Sequence, residues 1–261
     1  MTILDRLAEH AAERVAISKK KVPLSDLKAF AETVKDPEFA FEKALSGSED
    51  IAFICECKKA SPSKGLIAPE FPYLEIAKDY EKAGADAISV LTEPKWFLGS
   101  DQYLQQISYN VKIPCLRKDF TVDPYMIYEA RALGASAVLL IMSILKEKTA
   151  AEYLAVADSL GLSALVETHN EEEVKAALRI GARVIGVNNR NLKDFSVDTE
   201  NSRRLRQLIP EDVLFVSESG VKTAEDVKAL REIGADAVLV GETLMRAPDK
   251  TEKLRELRGQ R

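Results

Sequence analysis

Cysteine is scarce in this 261-residue chain, which contains only Cys55, Cys57 and Cys115. Their number is odd, all three lie in apolar, strand-like stretches, and no two form a CxxC pair. The disulfide framework of a small secreted domain is therefore excluded, and a cysteine-based metal site is not indicated. We expect reduced thiols that pack in the core.

Long apolar runs and blocks of one charge are also missing. No stretch approaches the roughly 20 apolar residues of a membrane-spanning helix. The first residues carry Asp5 and Arg6 and lack the apolar block of a signal peptide. Net charge is −5 with scattered Lys and Arg, so no nucleic-acid-binding patch is visible. We expect a cytoplasmic protein with no membrane and no nucleic-acid partner.

What the chain does have is an internal repeat. Four segments contain an apolar residue, a glycine and an alanine, followed by a short apolar run. In each segment a helical pattern ends at the glycine, which suits the left-handed position after a helix, and a strand begins. The four glycines are 50, 47 and 53 residues apart, which accommodates two strand-helix units per interval. They are Gly84, Gly134, Gly181 and Gly234.

Four further apolar runs lie where this spacing requires strands, at 51–57, 111–117, 162–167 and 212–217. With the four repeats they make eight strands that alternate with helices, which predicts an α/β fold, the (β/α)8 TIM barrel. A doubly wound open sheet is the alternative. It would need a GxGxxG turn after the first strand, and the sequence there contains none.

The residues before the barrel pattern have helical spacing. After a break at Val22-Pro23, a second helix is expected to begin at Asp36-Pro37. This extension could cover one end of the barrel, shape the pocket or join a partner subunit, and packing on its own barrel is expected. We therefore divide one overall domain into an N-terminal helical extension (1–48) and a catalytic barrel (49–261). The apolar positions are Ile3, Leu4, Leu7, Ala11 and Val15 in the first helix and Phe41 and Leu45 in the second.

Several polar residues are expected to have structural roles. Asp123-Pro124 resembles an N-cap followed by an N1 proline. The two histidines, His10 and His169, do not fall on an inward strand face in this pattern, so we expect both at the surface. Two capping boxes are predicted, Asn170 with Glu173 and, more weakly, Thr223 with Asp226.

Glu56 and Lys58 lie at the end of the first predicted strand. Residues two apart share one face of a strand, so these two charges point one way while Cys55 and Cys57 point the other. Opposite charges in a core are costly unless they are paired and hydrogen-bonded. The pair predicts a polar pocket at the carboxyl end of the strand, although it could also be an interior ion pair that only stabilises the barrel.

Other strands also end in residues suited to chemistry, at the end of the barrel where such enzymes build their sites. The turns after strands 7 and 8 contain small residues that let backbone N–H groups approach an anion, which predicts a phosphorylated small-molecule substrate. The candidates are Ser61 after strand 1, Lys118 after strand 3, Glu167 at strand 5, Asn188 and Arg190 at strand 6, Ser219 and Gly220 after strand 7, and Gly241 and Glu242 after strand 8.

Six strings between the first and last strands resemble the indole-3-glycerol phosphate synthase family, as does the helical extension. The first and third strings are highly specific, whereas the last two turns occur in many phosphate-binding barrels. Glu242 departs from the Ser or Thr of some members, and a side-chain contact from it to a dianion would be repulsive. The strings are Glu56-Cys57-Lys58-Lys59-Ala60-Ser61-Pro62-Ser63-Lys64-Gly65, Ser89-Val90-Leu91-Thr92-Glu93, Leu116-Arg117-Lys118-Asp119-Phe120, Val187-Asn188-Asn189-Arg190-Asn191-Leu192, Ser217-Glu218-Ser219-Gly220 and Gly241-Glu242-Thr243-Leu244-Met245.

The resemblance implies a carboxy-lyase of tryptophan biosynthesis that needs no cofactor and no metal. Its substrate would be 1-(2-carboxyphenylamino)-1-deoxyribulose 5-phosphate, which closes to indole-3-glycerol phosphate with loss of carbon dioxide and water. A monomer is expected, and a dimer is left open.

The resemblance also assigns roles. Lys118 would be the general acid of ring closure, with Glu167 as its electrostatic partner or a proton acceptor. Lys58 and Glu56 would serve the substrate carboxylate and the dehydration, and Asn188 would bind hydroxyls or the departing oxygen. Ser61 and Arg190 would hold polar groups of the substrate. Phe97, Phe120 and Leu139, with Trp96 as a further candidate, would form an apolar wall for its ring. Ser219, Gly220, Gly241 and Glu242 would bind its phosphate.

Three other functions fit parts of the pattern. A Schiff-base aldolase would use a strand-end lysine such as Lys118 as a nucleophile, and borohydride would trap its adduct. A phosphoribosylanthranilate isomerase-like enzyme would need an acid and a base across C1 and C2, which the lysine pair fits less well. A non-catalytic barrel would bind sugar phosphate without turnover.

Overall fold

The computed structural model describes residues 2–35, 37–191 and 194–260. Its first helix, α1 (Ile3–Lys21), begins with a capping box between Thr2 and Asp5 and ends at the predicted break. A short helix that the sequence pattern did not predict, α2 (Leu24–Ala31), follows the break. The next helix, α3 (Ala40–Ser46), starts later than predicted, and Asp36 lies outside the described residues.

A closed barrel of eight parallel strands follows, and the predicted TIM barrel is confirmed. β1 pairs with the last strand, Ala52 opposite Ala237, which closes the ring. Strand 3 begins later than predicted because Pro114 has no N–H to donate to a ladder. The strands are β1 (Ala52–Cys57), β2 (Ala87–Leu91), β3 (Cys115–Lys118), β4 (Ala137–Ile141), β5 (Ser163–Thr168), β6 (Val184–Asn188), β7 (Leu214–Glu218) and β8 (Ala237–Val240).

Helices follow the strands in turn and form the outer layer. After β1 the chain first makes a small hairpin, in which Ala60–Ser61 pairs antiparallel with Gly65–Leu66. The four repeat glycines end helix-turn segments with positive φ angles between 75° and 87°, as predicted. The helices are α4 (Tyr73–Lys82), α5 (Asp101–Asn110), α6 (Pro124–Ala132), α7 (Glu147–Ser159), α8 (Glu171–Arg179), α9 (Glu200–Arg206), α10 (Ala224–Glu232), α11 (Glu242–Arg246) and α12 (Lys250–Leu257).

The strands are apolar on both faces because both faces are covered. Alternate residues such as Ile54 and Leu165 fill the barrel interior, together with Leu7 and Ala11 of α1. The residues between them pack outward against the helices. Residues of the extension therefore pack against the barrel strands, while the division into an extension and a barrel at residues 48 and 49 stays a prediction.

The helix caps follow the sequence closely. Asp123 caps α6, with Pro124 at its start, and Thr223 and Asp226 form a complete capping box on α10. Asn170 caps α8 through the Glu173 N–H. The Glu173 carboxylate, however, turns back to the backbone N–H of His169, one residue earlier than a capping box requires.

All three thiols are buried and unpaired, as predicted. They belong to the outward-facing cluster between the strands and helices. Burial raises the pKa of each thiol, that of Cys115 to about 12. Within the described ranges, no helix is long and apolar enough to cross a membrane.

The packing predicts a contrast between two isoleucines. Ile54 is fully buried in the barrel interior, whereas Ile17 on α1 is 54% exposed. We expect Ile54→Ala to lower the free energy of unfolding by about 2–5 kcal/mol. The matched control Ile17→Ala should change it by less than about 0.5 kcal/mol. Guanidinium unfolding measures both, and equal effects would contradict the assigned packing.

Candidate functional site

A cavity of about 890 Å³ opens at the carboxyl ends of the strands. All fourteen site residues predicted from the sequence line it. Ile3, Leu4 and Leu7 of α1 line it too, so the extension also shapes the pocket. The geometry brings the residues together, and their individual roles stay predictions.

Glu56 and Lys58 project into this cavity as an ion pair, with 2.5 Å between Glu56 Oε1 and Lys58 Nζ. Burial alone would raise the pKa of Glu56, but Lys58 and Lys118 together hold it below its usual value. The end of β8 leaves room for the pair. A Cβ on Gly241 would lie 2.3 Å from Glu56 Oε1 and 2.9 Å from Lys58 Nζ, so a larger residue there would displace both groups.

Lys118 lies between two buried carboxylates. Its Nζ is 3.3 Å from Glu167 Oε2 and 3.5 Å from Glu218 Oε2. Burial alone would lower the pKa of this lysine, but the carboxylates of Glu167, Glu218 and Glu56 raise it above its usual value. The ammonium therefore stays charged at the floor of the cavity.

Glu218 is a site residue that the sequence reasoning missed. It is 2% exposed, lines the cavity and has no hydrogen-bond donor to its Oε1 within the described part of the chain. Burial, and then the nearby charge of Glu167, raise the pKa of Glu218 to about 8. Strand parity could have found it, because Val216 two residues earlier faces the interior.

Gly186 on the neighbouring β6 makes room for Glu218. A Cβ at this position would lie 2.2 Å from Glu218 Oε1. Both glycines, Gly186 and Gly241, thus provide space at the carboxyl end of the barrel for a buried carboxylate on an adjacent strand.

The prediction of two surface histidines was wrong. His169 Nε2 lies 3.4 Å from Glu167 Oε1 and its Nδ1 lies 3.1 Å from Glu173 Oε2, so the ring bridges the two carboxylates. Burial opposes its charge, but Glu173 and Glu167 raise the pKa of His169. His169 is two residues after Glu167, so its side chain points to the same side of the chain, although it lies just past the end of β5. His10 on α1 is also mostly buried, beside Glu93.

Asn188 organises the end of β6. Its Oδ1 accepts hydrogen bonds from the Ser219 hydroxyl (2.9 Å) and the backbone N–H of Arg190 (3.0 Å). Arg190 donates to the carbonyl of Phe195 (3.2 Å), whereas the carboxylate of Asp194 accepts from Ser196. Asn188 also helps to lower the pKa of Glu167, which connects this strand end to the lysine site. Leu192 of the family string lies outside the described residues.

The turns after β7 and β8 differ in how they are built. Ser219 and Gly220 both have positive φ angles, 68° and 101°, which turn the backbone sharply at the cavity edge. Glu242 begins α11 and its carboxylate lies 3.0 Å from Arg246 Nε and 3.7 Å from Lys64 Nζ. Burial of Glu242 is outweighed by these cations, which lower its pKa.

Aromatic side chains form the opposite wall. The rings of Phe97 and Phe120 lie 6.0 Å apart, and both line the cavity with Leu139. Trp96 does not take part in this lining and instead contacts His10 and Arg6 of α1. Across the described residues, no group of three or more His, Cys, Asp or Glu side chains is arranged to hold a metal ion.

Sequence comparisons with known proteins agree on one family. The family model described as "Indole-3-glycerol phosphate synthase" matches residues 4–257. A protein of that name from Ruminiclostridium cellulolyticum is 59% identical over 98% of this chain and 99% of the relative. Another, from Leuconostoc mesenteroides, is 51% identical over 99% of this chain and 100% of the relative. Among solved structures, 3-hexulose-6-phosphate synthase from Salmonella typhimurium matches with a TM-score of 0.66 at 14% identity, covering 79% of this chain and 96% of that one. This last similarity shows the fold alone.

The buried Glu218 predicts a pH effect on stability. With its pKa near 8 in the folded protein, it keeps a proton that the unfolded chain releases at about pH 4.3. Stability from this group is therefore full below that pH and is lost as the pH rises towards 8. We expect Glu218→Gln, which carries no titrating proton, to gain at least about 1 kcal/mol relative to wild type between pH 5 and pH 9.

Denaturant unfolding at the two pH values measures this gain. The exposed Glu211→Gln is the matched control and should follow wild type. A Glu218→Gln variant whose stability differs from wild type equally at both pH values would contradict the raised pKa.

Proposed function

The chain belongs to the indole-3-glycerol phosphate synthase family, and we propose that the fourteen predicted residues, with Glu218, form its active site. The protein is a carboxy-lyase of tryptophan biosynthesis that acts on a phosphorylated small molecule. It closes 1-(2-carboxyphenylamino)-1-deoxyribulose 5-phosphate to indole-3-glycerol phosphate, carbon dioxide and water. The observation that carries the residue assignment is the ammonium of Lys118 between two buried carboxylates, facing the cavity.

The polarity of the cavity supports one orientation of the substrate. The turns at Ser219-Gly220 and Gly241 would take the phosphate through backbone N–H groups. Phe97 and Phe120 would hold the benzene ring by apolar contact and stacking. The Glu56–Lys58 pair lies nearby, where Lys58 can bind the ring carboxylate.

Lys118 suits ring closure. The ring carbon that bears the carboxylate attacks the C2′ carbonyl, a carbon–carbon bond forms, and the carbonyl electrons move to the oxygen. A developing alkoxide is a far stronger base than an amine, so an ammonium beside it donates its proton readily. The raised pKa keeps Lys118 protonated, and an ammonium has no lone pair with which to attack a carbonyl, which disfavours the Schiff-base alternative.

Decarboxylation and dehydration follow. The carbon–carboxyl bond breaks, its electrons restore the aromatic ring, and carbon dioxide leaves. The C2′ hydroxyl then leaves as water after protonation, while the neighbouring C1′ gives up a proton to form the indole double bond. We assign these steps to Lys58 and Glu56, an acid and a base 2.5 Å apart, and assign Asn188 to the departing oxygen.

Glu167 would keep Lys118 charged and oriented. Burial opposes ionisation of Glu167, but Lys118 and His169 lower its pKa, so it stays a carboxylate. Ser61 and Arg190, which both line the cavity, would hold the polar ends of the substrate. A monomeric state stays a prediction. So does a cytoplasmic location, which the three unpaired thiols support.

Lys118→Ala is the direct test of the acid. We expect wild type to form indole absorbance from the carboxyphenylamino substrate and Lys118→Ala to slow ring closure by at least about 100-fold. The exposed Lys112, just before the same strand, gives a matched control whose alanine variant should keep wild-type activity. Glu56→Gln should also be impaired, through the later steps.

Two results would count against this assignment. No indole formation by wild type would refute the proposed activity. Full ring-closure activity of Lys118→Ala would leave the activity standing and remove Lys118 as the acid.

Glu242 provides a test of the phosphate end. Its carboxylate forms ion pairs with Arg246 and Lys64 and would repel a dianion. We therefore expect Glu242→Gln to lower KM by about two- to fivefold, more at low salt than at high salt. Glu225→Gln, in the exposed first turn of α10, is the control and should leave KM unchanged. A rise in KM would show that the carboxylate helps to hold the cations in place.

A further inference from the structure

One face of α1 changes character along its length. Leu7 lies on the cavity, while His10 and Arg14, about one and two turns later, reach carboxylates buried in the barrel loops. Those carboxylates belong to Glu93, after β2, and Asp119, after β3, and they are 0% and 1% exposed.

Glu93 organises the loop after β2. Its carboxylate accepts hydrogen bonds from the backbone N–H groups of Lys95 (3.0 Å), Trp96 (2.7 Å) and Phe97 (3.0 Å). His10 Nδ1 lies 3.1 Å from the same carboxylate. The loop is therefore wrapped around one carboxylate, and α1 supplies the side chain that covers it.

Asp119 organises the loop after β3 in the same way. Arg14 donates to both of its oxygens, at 2.7 and 3.0 Å. The Thr92 hydroxyl donates at 2.6 Å, and the Phe120 backbone N–H donates at 2.8 Å. Because Thr92 precedes Glu93, this bond also joins the two loops.

Both carboxylates hold the backbone of a wall phenylalanine. Phe97 is held on its other side as well, since its carbonyl accepts from the Ala60 N–H in the hairpin after β1 (3.2 Å). A buried carboxylate that loses a hydrogen-bonding partner rearranges or takes up water, because a buried charge with too few partners is strongly unfavourable. The positions of Phe97 and Phe120 therefore depend on α1.

We propose that His10 and Arg14 are positioning residues for the aromatic wall, acting through Glu93 and Asp119 on Phe97 and Phe120. The proposal rests on the proposed function of the cavity. α1 thus determines how the enzyme recognises the aromatic ring of its substrate, in addition to covering the barrel.

Other contacts also anchor α1 to the barrel. Leu7, Ala11 and Val15 already bury its apolar face. Lys19 on the same helix pairs with Asp123 at 2.6 Å, but Asp123 is the N-cap of α6 at the far end of the loop after β3, and its carboxylate accepts from the Tyr125 N–H rather than from a wall phenylalanine. Lys19 is therefore a matched control for a cation that attaches α1 without reaching the wall.

The experiment compares Arg14→Gln with Lys19→Gln. We expect Arg14→Gln to raise KM for the carboxyphenylamino substrate about tenfold and to change kcat less than about twofold, because the wall contacts the ring equally before and during reaction. Inhibition by inorganic phosphate, which probes the far end of the cavity, should keep its wild-type constant. Lys19→Gln should resemble wild type throughout.

A double-mutant cycle tests whether Arg14 acts through the wall. In a Phe120→Ala background, Arg14→Gln should raise KM less than about twofold further, since the two changes then affect the same contact. If Arg14→Gln does not fold, His10→Gln gives the same test through Phe97, with a smaller rise in KM.

Three results would overturn the proposal: an unchanged KM, an equal loss of phosphate affinity, or fully additive effects in the cycle. Absence of indole formation by wild type would instead refute the proposed function and this inference with it. Wild-type turnover with normal variant kinetics would refute the inference alone.

Discussion

The pairing of buried charge at the carboxyl end of the barrel is the constraint on which the rest of the site depends. Glu56, Glu167 and Glu218 lie in one cavity with Lys58 and Lys118, and a charge in such a place is tolerated only with a partner. The lysines therefore hold the carboxylates and are held by them. Three carboxylates against two ammonium groups leave one negative charge in excess, which fits the raised pKa of Glu218.

The need to pair buried charge also explains structural features that take no direct part in the reaction. Gly186 and Gly241 leave space for carboxylates on neighbouring strands, and the His169 ring lies beside Glu167. Further out, Arg14 and His10 cover Asp119 and Glu93. The helical extension is therefore bound to the barrel by the same kind of pairing that operates at the cavity floor, as well as by apolar packing.

Much of this could be predicted from the sequence because periodicity and strand parity are local properties. The repeat glycines located four strands, parity directed Glu56 and Lys58 inward, and Asp123 and Thr223 marked helix starts. Other features depend on contacts between distant parts of the chain. The bond from Arg14 to Asp119 spans 105 positions, and the charge balance that sets the pKa of Glu218 involves four strands. His169 and Glu218 were missed, although the alternation of side chains along a strand points both of them inward. Both lie at strand ends where neighbouring residues had already been assigned to catalysis or to a turn.

The three thiols on the outer face of the barrel strands have a practical consequence. Each is at most 2% exposed, and burial keeps each in its unreactive protonated form. A cysteine placed on the surface would therefore react with maleimide far ahead of the native ones. The unmodified chain is already a suitable background for attaching a fluorophore or spin label at one chosen position.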